Sequence, residues 1–180
     1  MPEEESMESL VLSGVALDES QARVAIKNIP DNPGVAGFIF TRLGEANINV
    51  DMIVQSSAKE GKNDISFTVR EEDLKEAKKT MEKIKQKLKG SDVSYNSDTA
   101  KVSLVGAGMQ SHPGVAARMF ACLGKKEINI EMINTSEIRI SCIVKRKEAM
   151  RAVRAVHKEF ELELNKEKEG LEKQNYGEEI

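Results

Sequence analysis

The stretch Asn-Ile-Pro-Asp-Asn-Pro-Gly-Val-Ala at residues 28–36 returns in altered form as Met-Gln-Ser-His-Pro-Gly-Val-Ala at residues 109–116. The similarity continues in register at an offset of 80, because residues 43–53 carry the pattern that residues 123–133 repeat. A repeat of this length predicts two copies of one supersecondary unit. Two similar modules on a chain of 180 residues favour a binding or sensing protein over an enzyme with one active site.

The spacing of apolar residues predicts the same order of elements in each copy: strand, helix, strand, strand, helix, strand. In the first copy Val35, Ile39 and Leu43 recur at helical spacing, with Ala36 and Phe40 widening the stripe. Further elements of that copy are strands around 24–30, 48–54, 65–69 and 93–95 and a helix over 74–88. In the second copy we expect strands around 102–104, 128–135 and 138–144, helices over 115–123 and 149–160, and a possible fourth strand at 162–164. This βαββαβ order is ferredoxin-like and predicts an α+β protein.

Segments outside the two copies have their own patterns. Apolar residues at 10–17 predict an additional strand before the first module. We expect residues 1–8 to be a flexible start and the charged residues 165–180 to be a disordered tail.

Composition and charge exclude several classes of function. A net charge of −3 provides no basic surface, which argues against a nucleic-acid partner. No apolar run approaches the roughly 20 residues of a membrane-spanning helix, and the acidic start lacks a signal-peptide pattern. Cys122 and Cys142 are isolated and have apolar neighbours, so we expect buried free thiols in a reducing, cytoplasmic setting.

The turn before the first helix of each copy is the candidate binding site. Backbone N–H groups at a helix N-terminus, together with the helix dipole, suit a carboxylate. Asp31, Asp51 and Gln55 are expected to lie near this turn and to offer partners for an ammonium or hydroxyl group. That combination would recognise a free α-amino acid. The alternative is that Asp31 or Asn32 only caps the helix, with Pro33 at its first position.

A catalytic site is not expected. The string Gly106-Ala107-Gly108 lacks the third glycine and the acidic residue of a dinucleotide-binding loop. No Ser/His/Asp arrangement, zinc-ligand spacing or phosphate-binding loop is present, and His112 is interpreted as a turn residue. We therefore expect neither a metal nor a cofactor.

Several strings resemble the C-terminal regulatory half of aspartate kinase. They lie at residues 11–18, 21–24, 101–109, 111–115 and 133–141, and include Gly-Ala-Gly-Met and Thr-Ser-Glu-Ile-Arg-Ile-Ser. The resemblance runs from about residue 9 to about residue 163. It implies two ACT modules, of which the first, at 20–98, is inserted into the second, formed by a strand at 9–19 and residues 99–164.

The same resemblance implies a function and partners. Tandem ACT modules of this kind bind the end-product amino acids L-threonine, L-lysine or both, and impose allosteric feedback inhibition on the first step of aspartate-family amino-acid biosynthesis. The implied partners are a second copy of the chain, paired side by side through ACT modules with effectors at the interface, and a catalytic aspartate kinase subunit or domain.

Effector contacts are implied by the resemblance in both modules. In the first module they are Asp31, Asn32, Pro33, Gly34, Val35, Ala36, Asn49, Val50, Asp51 and Gln55. In the second they are Ser111, His112, Pro113, Gly114, Val115, Ala116, Asn129, Ile130, Ser136 and Glu137. Ser111 stands where Asp31 does and Thr135 where Gln55 does, so the second set resembles a partner face that completes a pocket.

The kinase half of the family has no counterpart in these residues. The chain is therefore expected to be a small regulatory subunit or a regulatory fragment. Two alternatives stay open: a stand-alone ACT sensor that regulates another metabolic enzyme, and an enzyme fragment with residual kinase activity.

Overall fold

The computed structural model describes residues 11–107, 109 and 112–161, which divide into two compact units. One unit is Asp18–Lys101, and the other joins residues up to Leu17 with residues from Val102 onward. The strands are β1 (Val11–Asp18), β2 (Gln21–Pro30), β3 (Val50–Gln55), β4 (Lys62–Arg70), β5 (Asp92–Asn96), β6 (Thr99–Ala107), β7 (Met132–Ser136) and β8 (Arg139–Lys145). The helices are α1 (Val35–Glu45), α2 (Leu74–Lys87), α3 (Val115–Lys125) and α4 (Ala149–Glu159).

The first module is a sheet of strand order β3-β4-β2-β5 with two helices packed on it. Its strand pairs are antiparallel, and a tight turn at Glu60-Gly61, both at positive φ, joins β3 to β4. One core takes buried residues from the sheet and from both helices: Ile26, Phe67, Ile39, Leu43, Met81 and Ile84. The predicted α+β, ferredoxin-like architecture is confirmed.

The second module repeats this plan with the strand order β1-β6-β8-β7. Strand β1 therefore occupies the edge place that β5 has in the first module. Leu12, Val15 and Leu17 on β1 pack against the second core. This topology is what an insertion of the first module into the second would give, while the stated domain boundaries stay a prediction. Residues 1–8, 162–164 and 165–180 lie outside the described residues.

Gly106 marks the close approach of β1 to β6. A Cβ at this position would lie 2.5 Å from the carbonyl oxygen of Val11 and 2.9 Å from the Cα of Leu12. At the other end of the pair, Lys101 lies close to Asp18, so the two strands run in opposite directions. The glycine considered above for a nucleotide loop is therefore needed for strand packing.

Local features of α1 differ from the prediction. The helix begins at Val35, and its N-cap is Gly34 in the left-handed conformation at φ 92°, with no side-chain cap. The prediction that Asp31 or Asn32 caps the helix is therefore wrong, and so is the prediction that Pro33 is its first residue. The left-handed turn at Gly34 comes after all three residues, and the helix begins only behind it. Ala36 is exposed and does not extend the apolar stripe.

Two smaller expectations concern strand 3 of the second module and the cysteines. Ile138 lies in the β7–β8 turn, 54% exposed, so the inward alternation begins only with Ile140. Cys122 and Cys142 are free and buried, as predicted. No helix within the described residues is long and apolar enough to cross a membrane.

Candidate functional site

The first-module turn is held by backbone hydrogen bonds. The N–H of Asp31 donates to the carbonyl of Gly61 at 2.9 Å, and that of Val35 donates to the carbonyl of Asn32 at 3.3 Å. The N–H of Phe38 then begins the helical series by donating to the carbonyl of Gly34 at 2.9 Å. The turn is therefore anchored to the β3–β4 hairpin on one side and to α1 on the other.

The start of α1 offers unused donors. Among the described residues, no hydrogen bond takes up the N–H groups of Ala36 and Gly37, and no side chain caps the helix. Two adjacent N–H groups at the positive end of a helix dipole suit a carboxylate. The exposed positions of Asn32, Pro33 and Gly34 leave this end accessible to solvent.

Asp31 is held by a residue that no pattern in the sequence indicates. Its Oδ1 accepts a hydrogen bond of 2.9 Å from Nδ2 of Asn63, whose side chain is buried on β4. Asn63 follows Gly61-Lys62, between the strands expected around 48–54 and 65–69. The pairing of Pro30 with Lys62 across β2 and β4 brings the two side chains together. The contact fixes the Asp31 carboxylate and leaves its second oxygen for other partners.

Gln55 and Asp51 lie at different places along β3. Gln55 is exposed at the C-terminal end of the strand, opposite Ile65. Asp51 lies at the other end, beside Val50, which pairs with Val69.

Asp51 is engaged in an ion pair. Its carboxylate binds the ammonium group of Lys101, whose side chain is only 13% exposed. The same ammonium lies 3.9 Å from Oδ2 of Asp18. The sequence separation of fifty residues gave no signal of this contact.

The expected proximity of Asp31, Asp51 and Gln55 is therefore wrong for Asp51. Asp31 is beside the beginning of β4 at Lys62, whereas Asp51 is level with its end near Val69. At about 3.3 Å per residue, this separation is on the order of 25 Å. One amino acid bound at the turn of one module cannot touch Asp51 of that same module. Asn49 and Val50 lie at the same remote end of β3.

The second module forms a defined pocket at the equivalent turn. Its volume is about 300 Å³, and its lining is Met109, His112, Pro113, Gly114, Val115, Ala116, Thr135, Ser136 and Ile140. Gly114 repeats the left-handed N-cap of Gly34, with φ 95°. Hydroxyl groups of Thr135 and Ser136 form the polar side, and the buried Met109 and Ile140 supply apolar surface.

Six predicted second-module residues thus come together: His112 through Ala116 and Ser136. Asn129 and Ile130 lie before β7, far from the pocket along the strand, and Glu137 is exposed in the β7–β8 turn outside its lining. Ser111 lies outside the described residues. Met109, Thr135 and Ile140 were not among the predicted contacts, although the match of Thr135 to Gln55 in the repeat was a usable signal.

Within the described part of the chain, no group of three or more His, Cys, Asp or Glu side chains is arranged to hold a metal ion. The arrangement offers helix N-termini, amide and hydroxyl groups, and one oriented carboxylate. These are the elements of a site for a small polar molecule.

Comparisons with known proteins agree with this architecture. A model of the ACT domain matches residues 24–84 and 102–160. Aspartate kinase Ask_LysC of Stutzerimonas stutzeri is 44% identical over 163 residues, which cover 91% of this chain and 40% of that protein. The chain therefore spans about two fifths of the length of this relative.

Solved structures extend the similarity to whole chains. The ligand-free regulatory subunit of aspartate kinase from Thermus thermophilus is 41% identical, with a TM-score of 0.80 over 83% of this chain and 99% of that one. A structure of aspartokinase alpha and beta subunits includes a chain 41% identical to this one, with a TM-score of 0.78 over 84% of this chain and 99% of that one. The chain belongs to the ACT-domain family, as a pair of tandem ACT modules of the aspartate kinase regulatory type.

Proposed function

We propose that this chain binds L-threonine, L-lysine or both at the turns before α1 and α3, and that binding restrains a catalytic aspartate kinase subunit or domain. The similarity to the Thermus thermophilus regulatory subunit supports the regulatory role, and the structure of alpha and beta subunits supports a kinase partner. The proposed setting is the cytoplasm, where aspartate-family amino acids would act as feedback inhibitors.

The observation that carries the proposal is the first-module turn. The free N–H groups of Ala36 and Gly37 suit the carboxylate of an amino acid, and the oriented carboxylate of Asp31 suits its ammonium group. Gln55 adds an exposed amide at the corresponding end of β3. Each functional group common to α-amino acids thus has a partner of complementary charge or hydrogen-bonding capacity.

The two turns differ in which side chains they suit. The described lining of the second pocket contains no carboxylate, so it offers no charged partner to the side-chain ammonium of lysine. Its hydroxyl groups and apolar surface suit the hydroxyl and methyl groups of threonine. The first turn offers the carboxylate of Asp31 to either ammonium group of lysine, which makes it the better candidate for lysine.

The remote position of Asn49, Val50 and Asp51 supports a site shared between two copies of the chain. Suppose that β3 of one copy lies beside β3 of a second copy and runs in the opposite direction. Residues 49–51 of the second copy then come level with Gln55 of the first. Asn129 and Ile130 lie just before β7, so the same pairing of two β7 strands would bring them towards the other end of the neighbouring strand. Such two-fold pairing would also cover Ile53 and Ile133, which are 48% and 43% exposed on the edge strands. We therefore propose a homodimer with effectors at ACT–ACT interfaces.

Sedimentation velocity tests this assembly with threonine, with lysine and without effector. We expect a homodimer that at least one of the two amino acids stabilises against dilution, because a ligand that bridges two copies favours the bound assembly by mass action. Leucine provides a control with the same backbone groups. A monomer at tens of micromolar protein, in the presence of either effector at millimolar concentration, would contradict the proposal.

A further inference from the structure

A groove between α1 and α2 of the first module is a second candidate binding site, on the helical side of the module. Its volume is about 430 Å³. Phe38 and Ala46 are partly exposed and provide apolar surface, Ile84 is buried beneath the groove, and Arg42, Lys83 and Lys87 place positive charges along its edges. The volume is in the range typical of small-molecule sites. None of these residues belongs to the effector site proposed above.

Some of the charged residues that line this groove form ion pairs and others do not. Arg42 pairs with Glu45 at 2.8 Å, and Glu76 pairs with Lys79 at 2.8 Å, so both acidic residues of the lining are neutralised by a neighbour on their own helix. The ammonium groups of Lys83 and Lys87 form no hydrogen bond or ion pair with any described residue. The groove thus presents two lysines that form no ion pair, of which Lys83 also acts through its charge on Glu76, beside apolar surface.

The second module shows how the same fold closes this space. Arg118 stands at the repeat position of Phe38, and Glu159 at that of Ile84. Arg118 donates to Oε1 of Glu159 at 3.1 Å and to its backbone carbonyl at 2.7 Å, which links α3 to the end of α4. Arg118 also lies over the ring of Phe160, with its guanidinium carbon 4.5 Å from the ring centroid.

A second link reinforces this closure. Arg151, at the repeat position of Glu76, donates to the carbonyl of Lys126 at 2.8 Å. In the first module the ion pairs that border the groove, Arg42 with Glu45 and Glu76 with Lys79, each stay within one helix. The two modules therefore differ in polar links between their helices while sharing the buried core pattern.

We propose that the groove between α1 and α2 binds a small organic anion with an apolar body. The anionic group lies against Lys83 and Lys87, and the apolar body contacts Phe38 and Ala46. A carboxylate on an aryl or branched alkyl group has this chemistry, and so does an aryl sulfonate. Neutral and cationic compounds of the same shape lack the attraction to the two lysines.

Fluorescence titration with anilinonaphthalene sulfonate tests the site directly, since this probe joins an apolar body to one anionic group. The neutral N-phenylnaphthylamine is the matched probe without charge. The test variant is the double substitution Lys83→Glu/Lys87→Glu. The control is Lys75→Glu/Lys89→Glu, which makes the same change in net charge at lysines outside the lining of the groove.

We expect the Lys83→Glu/Lys87→Glu variant to bind the anionic probe about tenfold more weakly, and the control variant to bind it within about twofold of the wild type. Binding of the neutral probe should be the same in all three proteins. Unlabelled aryl and branched-chain carboxylates should displace the anionic probe. Circular dichroism checks that each variant is folded. If Lys83→Glu/Lys87→Glu is not folded, Lys83→Ala/Lys87→Ala takes its place as the test variant.

Equal binding of the anionic probe to the test and control variants would overturn the proposal. It would also be overturned if the neutral probe bound the wild type as tightly as the anionic one. A third result would also contradict the proposal: the Lys83→Glu/Lys87→Glu variant no longer associates with a catalytic aspartate kinase subunit, but it binds the anionic probe as the wild type does. That result would assign the groove to a protein partner.

Discussion

The two modules have the same fold but differ at an edge strand and between their helices. The first completes its sheet with β5, which follows α2 directly, whereas the second takes the edge strand β1 from before the first module. The helices of the second are linked by Arg118 and Arg151, whereas those of the first border an open groove. Repeated apolar positions are therefore sufficient to specify the shared fold, and the polar positions that differ between the modules determine which surfaces stay available.

The largest expected effect concerns the reactivity of the two cysteines, which both belong to the second module and report on its core. Cys142 occupies the repeat position of the buried Phe67. Burial raises the pKa of its thiol to about 12, with a further contribution from Cys122, and burial likewise raises the pKa of Cys122. We expect both thiols to react with Ellman's reagent at pH 8 about a thousandfold more slowly than in urea-unfolded protein. Rapid reaction of either thiol in the native protein would show that this core is open.

Gly106→Ala is expected to have the next largest effect. The new Cβ would lie 2.5 Å from the carbonyl oxygen of Val11, and relief requires β1 to move away from β6. We expect the free energy of unfolding to fall by about 2–4 kcal/mol. Gly124→Ala is the matched control, because it has open space in α3 and should raise stability by about 0.5–1 kcal/mol. Similar urea midpoints for the two variants would contradict the close packing of β1.

Arg118→Ala tests the link between α3 and α4 and is expected to have a smaller effect. Loss of the ion pair with Glu159 and of the contact with Phe160 should cost about 1 kcal/mol. Arg42→Ala is the matched control in the first module, where the ion pair with Glu45 stays within α1 and should contribute only about 0.3 kcal/mol. Equal losses in thermal unfolding would show that the link between the helices of the second module adds nothing.

Asp18 gives the smallest expected effect, with a defined pH dependence. Burial raises the pKa of this carboxyl, but hydrogen bonds from Ser20 and Gln21 and the charge of Lys101 outweigh it and lower the pKa below 3.8. Because the folded-state pKa is depressed, the stabilisation is complete above the unfolded-state value and is lost as the pH falls through the folded-state value. Because the side chain is 35% exposed and water screens its charge, we expect Asp18→Asn to cost only about 0.5 kcal/mol at pH 7.

Urea unfolding of Asp18→Asn and wild type from pH 7 down to pH 2 checks this dependence. The difference between the two proteins should narrow below about pH 4. If the difference in the free energy of unfolding stays constant throughout this pH range, the charge of Asp18 does not contribute to stability.

The repeat and its apolar spacing were enough to predict most of the fold. Positions such as Ile39 and Met81 recur at intervals that only one helix face can bury, and Ile65 and Phe67 alternate as a strand requires. Helix α1 was misplaced at its start, because Asp31 and Asn32 have the side chains of helix caps while the turn is made by the backbone of Gly34. Such a choice depends on where the chain must turn, which side-chain preferences do not determine.

The candidate site was predicted less completely for a related reason. The turn itself could be found from the repeat, but strand register decides which residues accompany it. Asn63 reaches Asp31 through the pairing of β2 with β4, and the same register places Asp51 on the order of 25 Å away, beside Lys101. These contacts join residues 32 and 50 positions apart, and no local pattern encodes them.

Isothermal titration of threonine and lysine into wild type and Gln55→Ala tests the central claim most directly. Gln55 makes no side-chain hydrogen bond within the described residues, so its loss should leave stability unchanged, unlike Asp31→Ala, which would strand the buried amide of Asn63. Gln86→Ala, an exposed position on α2, is the matched control. We expect wild type and Gln86→Ala to bind at least one of the two amino acids, and Gln55→Ala to bind it roughly 5- to 150-fold more weakly, corresponding to about 1–3 kcal/mol. Absence of heat with both amino acids at millimolar concentration, or unchanged affinity of Gln55→Ala, would contradict the account.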